Sequence, residues 1–108
     1  MVNKIEKIFL STFSKILTTR KLGRKIRTEY IDFNFEKNNI IIFDFEDIEL
    51  ITHSFSDECF GKLVYQYDFN DLKRKTSFIN YDENIEKTII YVLNHNLRLK
   101  YFEKNAKH

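Results

Sequence analysis

Residues 40–69 read IIIFDFEDIELITHSFSDECFGKLVYQYDF, and the reading of this stretch decides the architecture. Ile40, Ile41, Ile42 and Phe43 form an uninterrupted apolar run that Asp44 and Phe45 close. A run without polar alternation, rich in β-branched side chains, suits a strand covered on both faces, as in a parallel sheet flanked by helices. Glu46, Asp47 and Glu49 then crowd a short acidic connection. Ser54, with Asp57 three residues later, has the spacing of a capping box and predicts a helix start. From there Phe55, Cys59, Phe60, Leu63, Val64 and Tyr67 share one half of a helical wheel, with Glu58, Gly61, Lys62 and Tyr65 opposite. The expectation is a helix with one face for the core and the other left to water or a partner.

Working outward, residues 4–10 (KIEKIFL) read as an edge strand, and residues 14–17 (SKIL) as a second short strand or a lead into a helix. Thr18 or Thr19 is the next candidate N-cap. Leu22, Ile26, Tyr30 and Phe33 then share a helical face, and Arg20, Lys21, Arg24, Lys25 and Arg27 lie mostly away from it. Cations in the opening turns oppose the helix dipole, which prefers carboxylates there, so something must offset that cost. Either they are solvated or paired with the carboxylates of residues 46–49, or Arg20, Arg24 and Arg27 form a contact surface for an anion or an acidic partner. Asn38-Asn39 reads as a turn, and Asp68, Asn70 and Asp71 as the end of the central helix. Residues 75–80 (KTSFIN) read as a further strand. Asn80 or Asp82 then caps a last helix whose stripe is Ile85, Ile89, Val92, Leu93, Asn96 and Leu99. The polar tail, residues 103–108, is expected to fray. This alternation predicts one small layered α/β domain over residues 1–108, with three to four strands and about three helices.

A chain of 108 residues with 43% hydrophobic and 31% charged content can bury a real core. With 0 Pro and 2 Gly, its turns must rely on Asn and Asp. A net charge of +2 is no global field for nucleic acid. One cysteine rules out an internal disulfide and fits a reducing, cytoplasmic setting. The charged start MVNKIEKIFL is unlike a signal peptide, and nothing approaches a membrane span.

The candidates for chemistry are few. Asp44, Glu46, Asp47 and Glu49 are one acidic loop, which is weak ground for Mg²⁺; a solvated loop is the better reading, and no metal is expected. His53, His95 and His108 lack the spacing of zinc ligands. His53 and Ser54 are adjacent, and neighbours rarely face one another as a nucleophile and its base must. Cys59 falls on the apolar face, as a core cysteine does. Gly23 and Gly61 are too few for a phosphate-cradling loop, so no cofactor and no enzymatic activity are expected.

Phe43-Asp44-Phe45, followed after a spacer by Ser54-Phe55-Ser56-Asp57-Glu58-Cys59-Phe60-Gly61, resembles the STAS-like family of bacterial domains of unknown function. Residues 20–24 (RKLGR) also look like that family's first-helix entrance, with Arg20 where the family has a recurring Arg, and the resemblance plausibly extends from about Thr18 onward. More distantly, the strand, spacer and helix-starting Ser are similar to STAS domains of anti-sigma-factor antagonists, although Phe55 stands where those have Gly. The resemblance implies a non-enzymatic regulatory module that docks on a protein partner, an ATPase or kinase-like regulator, through Ser54, Asp57, Glu58, Gly61, Lys62 and Tyr65. It also implies Ser54 as a phosphorylation site. The residues themselves leave the simpler role of Ser54 as a helix cap open. The alternatives are an inhibitor of a host factor from a phage or mobile element, or nucleic-acid binding through the basic residues 20–27. An exposed edge at residues 4–10 would also permit a homodimer.

Overall fold

The computed structural model describes residues 3–106. The apolar run folds as β3 (Ile40–Asp44), the middle strand of a three-stranded parallel sheet between β1 (Ile5–Phe9) and β5 (Thr76–Ile79). Its register sets Ile5 beside Ile40 and Phe9 beside Asp44 on one side, and Phe43 beside Phe78 on the other. Alternation along β3 divides its side chains between the two faces of the sheet. Ile41 and Phe43 are fully buried, whereas Ile40 and Ile42 are only partly covered. Next to them Ile5 and Phe9 of β1 are exposed. The strand is therefore interior, as its composition implies, but closed on one face and only partly on the other, a correction to the two-sided cover expected.

A second, smaller sheet pairs β2 (Ile16–Leu17) in parallel with β4 (Leu50–Ile51). It sets two helix starts side by side. Helix α1 spans residues 20–36 and begins at Thr19, whose hydroxyl accepts from the Leu22 N–H at 3.1 Å. Helix α2 spans residues 53–66 and begins at Thr52, whose hydroxyl accepts from the Phe55 N–H at 3.2 Å and donates to the Thr18 carbonyl at 2.9 Å. Thr52, rather than Ser54, is the cap. Ser54 lies inside the first turn, exposed.

Each of these helices contains a π-turn, Arg27–Ile31 in α1 and Asp57–Gly61 in α2. A π-turn adds a residue to the helical repeat and rotates everything after it. In α1 it turns Tyr30 and Phe33 toward solvent and brings Ile31, Asn34 and Phe35 inward, displacing the apolar face expected from regular spacing. Beyond α2 the chain does not simply end its helical region. Asp68 caps a separate helix α3 (Phe69–Lys75) by accepting from the Asp71 N–H at 3.2 Å. After β5, Asp82 accepts from the Ile85 N–H at 2.8 Å and α4 (Glu83–Ala106) runs on. Its stripe of Ile85, Ile89, Val92 and Asn96 is buried, but Leu99 is exposed. Residues 103–106 of the expected frayed tail are helical, and residues 107–108 lie outside the described residues. Among the described residues the chain thus forms five strands and four helices, with a short 3-10 turn at Leu10–Thr12, a mixed α/β domain. Its left-handed turn positions are Asn38, Asp47 and Asn80, the residue types that tolerate positive φ where glycine is scarce.

The core is aromatic where β3 meets α2. Phe43 lies edge-on to Phe60 at 5.1 Å and stacks with Phe78 at 5.2 Å between ring centroids. Phe45 and Phe55 complete the cluster around Phe60. Such pairs add to the stabilisation from burial alone.

Candidate functional site

Helix α2 is the pillar of the fold. Its apolar side rests on the sheet, and its other side is covered by α1 and α4. The chain's two glycines make both crossings close. A methyl group on Gly23 of α1 would meet the Phe55 carbonyl oxygen at 2.7 Å, and one on Gly61 of α2 would collide with the amide of Asn96 on α4. Gly61 therefore does admit a close approach, but from within the chain and not from a partner.

Charges fill the α1–α2 contact. The Arg27 guanidinium donates through Nη2 to Glu58 Oε2 at 2.7 Å and through Nε to the Glu58 carbonyl at 2.6 Å. Glu58 is 7% exposed and Arg27 9%. Arg24 Nε lies 3.8 Å from Glu58 Oε2, and Arg20 Nη1 donates to Asp57 Oδ2 at 2.8 Å while lying 3.5 Å from Glu58 Oε1. Asp57 in turn accepts from Asn96 Nδ2 at 2.6 Å, which carries the network onto α4. Burial pushes the Asp57 carboxyl up, but hydrogen bonds from Arg20 and Asn96 outweigh it and hold the group below its ordinary value. The hydrogen bond to Asp57 raises Arg20 in return.

These pairings answer the dipole problem at the start of α1. The offsetting carboxylates are Asp57 and Glu58 of α2 and not the 46–49 loop, which stays largely exposed. They also remove Glu58 and Gly61 from the partner surface expected of them, since both are buried under neighbouring helices. Arg27 is buried as well, and Arg20 and Arg24, though exposed, lie against Asp57 and Glu58, so carboxylates already face all three arginines.

The end of α2 is tied down in the same way. Tyr67 donates to Asp32 Oδ1 at 2.7 Å, and Lys100 donates to the carbonyls of Val64 and Tyr67 at 2.7 and 3.2 Å. Cys59 is wholly buried, and burial pushes its thiol up, away from the reactive thiolate. Asp44 is buried and held below the ordinary carboxylate range by Asn80 Nδ2 and the Glu46 N–H, so it organises a turn. Among the described residues no group of three His, Cys, Asp or Glu side chains is placed to hold a metal ion.

What α2 leaves outside is its two ends. Ser54 and His53 are exposed at the start, and Lys62 and Tyr65 are partly exposed near the finish. The His53 ring packs on Tyr91 of α4 at 4.8 Å between centroids, and Tyr91 is parallel to His95 at 6.1 Å. His95 belongs to two shallow grooves. One runs along α4 past Lys87, Ile90, Tyr91 and Arg98, and the other is shared with Asp57, Lys62, Tyr65 and Leu99. Two of the expected partner residues, Lys62 and Tyr65, thus open onto one surface with α4, and Asp57 touches it from below. Periodicity had assigned α4 only its buried stripe, and the exposed Ile90 and Tyr91 beside it were the signal for this outer face.

The family model of the STAS-like domain of unknown function (DUF4325) matches residues 23–86. The chain belongs to this family. The match starts at Gly23 and runs through β3, α2 and β5 to the first turn of α4, so it spans the Gly23 crossing and the Arg27–Glu58 pair, and includes Gly61 but not Asn96 opposite it. It leaves out Arg20 and β1 of this STAS-like chain. No curated protein and no solved structure matches the chain. Among the described residues, no helix is long and apolar enough to cross a membrane.

Proposed function

We propose that this STAS-like domain is a non-enzymatic regulatory module that docks on a protein partner through the start of α2 and the outer face of α4. The observation that carries the reading is the joined surface of Ser54, His53, Tyr91 and His95. It sets an exposed serine beside exposed aromatic side chains that pack on one another at the surface. Exposed Tyr and Arg side chains, here Tyr91 and Arg98, are enriched where proteins meet. Ser54 is free of a capping duty, since Thr52 performs it, and a phosphate added in the first turn would meet the favourable end of the helix dipole. An ATPase or kinase-like regulator is the partner class this reading favours. A reading as an inhibitor of a host factor would use the same surface.

Nucleic-acid binding through residues 20–27 is less favoured, because Arg20, Arg24 and Arg27 are engaged by Asp57 and Glu58. The test is affinity capture from the source cell with intact-mass analysis of the recovered domain. The expected result is one defined protein partner whose capture changes between Ser54→Ala and Ser54→Asp. Equal capture by both variants would remove Ser54 from the mechanism, and a nucleic-acid partner with steep salt dependence would replace the reading.

A further inference from the structure

A cleft of about 360 Å³ lies between α3, β5 and the inner side of α4. Its walls are Phe60, Leu63, Leu72, Phe78 and Leu93. It shares no residue with the grooves around His95. The cleft opens to solvent, and what sets it apart from the grooves around His95 is its lining, which is mostly apolar. Water held against such walls has few polar partners, so an apolar body that displaces it gains by burial. The hydroxyl of Thr76, one of the few polar groups in the wall, is turned onto the Leu72 carbonyl at 2.5 Å. The volume falls at the small end of the roughly 300–1,000 Å³ of ligand sites, which are mostly apolar with a few placed polar groups.

One charged side chain lines this cleft. Lys73 Nζ stands 5.5 Å from the centroid of the Phe69 ring, which also borders the space. Its neighbour Arg74 is paired with Asp71. Among the described residues, Lys73 has an aromatic ring and no carboxylate for company. An apolar cleft with a single exposed cation at its border matches an amphiphile of one shape.

We propose that the cleft binds a small apolar carboxylate, its hydrocarbon body against Phe60, Phe78 and Leu93 and its carboxylate on Lys73. A body of roughly six to ten carbons fits the space. The site is a second function of the domain, independent of the protein-docking surface.

The test is titration of the full chain with octanoate and, in parallel, octanol, followed by backbone amide NMR. Octanoate is expected to shift amides of residues 69–78 and around Leu93. Lys73→Glu, a change at an exposed side chain, is expected to weaken octanoate about tenfold and leave octanol unaltered. Leu93→Trp, which fills the space, is expected to abolish both. Octanoate shifts confined to the surface around Tyr91, or no shifts at all, would overturn the proposal. So would octanoate affinity indifferent to Lys73→Glu. Shifts of these same amides with protein concentration alone, together with a doubled mass, would assign the cleft to a second copy of the chain instead.

Discussion

Glu58 accepts from one guanidinium through both its carboxylate and its backbone carbonyl, in a place where water does not reach either side chain freely. Breaking such a pair by removing one member leaves the other charge buried without compensation, which is far costlier than never having built it. Glu58→Ala is therefore expected to lose about 3 kcal/mol in urea unfolding. The double change with Arg27→Met should cost clearly less than the two single changes summed. The glycines set a second residue-scale constraint. Gly61→Ala puts a methyl group against Asn96 and Asp57 and should cost about 1–3 kcal/mol, although alanine favours a helix elsewhere. Acid sensitivity follows from Asp57 and Asp44, whose folded carboxyls hold their protons less tightly than the unfolded chain does. The stability they contribute is fully present above about pH 4 and is lost as pH falls through their lowered folded values. Urea midpoints measured from pH 6 down to pH 2 should fall in that acid range, and less steeply in Asp57→Asn.

Among the elements, the reassigned cap makes the sharpest test. Thr52→Ala should cost about 1 kcal/mol, whereas Ser54→Ala should stay within about 0.5 kcal/mol of wild type by the same unfolding measurement. Ser54 looked like a cap because Asp57 stands three residues on. That spacing serves Arg20 and Asn96 instead, and the true cap lies two residues earlier where Thr52 leaves β4. The strand at Ile40–Asp44 was legible because an unbroken apolar, mostly β-branched run has few other uses, and Asn38 was legible as a turn in a chain short of glycine, whereas Asn80, read as a strand end or a cap, is a left-handed turn position. The inward face of α1 was not. A π-turn at Arg27–Ile31 shifts the repeat by one residue, and regular spacing carries no trace of it, so Tyr30 and Phe33 were read inward and Ile31 and Phe35 missed. Helix α3 was lost because Asp68 reads equally well as the end of one helix or the cap of the next. The site residues were visible as charges, but which carboxylate meets which arginine depends on two helices starting side by side at β2 and β4, a fact of topology.

At the scale of the whole molecule, α2 offers little of its length to a partner. Its middle is closed by α1 and α4 at the two glycine crossings, and only its ends share the surface with α4. The uncovered margin of the sheet is a separate matter. β1 carries the exposed Ile5 and Phe9 on an unpaired edge, which is where a homodimer would add a strand. Light scattering across a concentration series, with Ile5→Lys as the comparison, should report a dimer that this variant abolishes if the edge is used. The docking account is tested most directly by hydrogen exchange on the domain alone and with its captured protein partner. It predicts new protection at residues 53–55 and along residues 87–99. Protection confined to residues 20–27 or to β1, with the α4 surface unchanged, would contradict it.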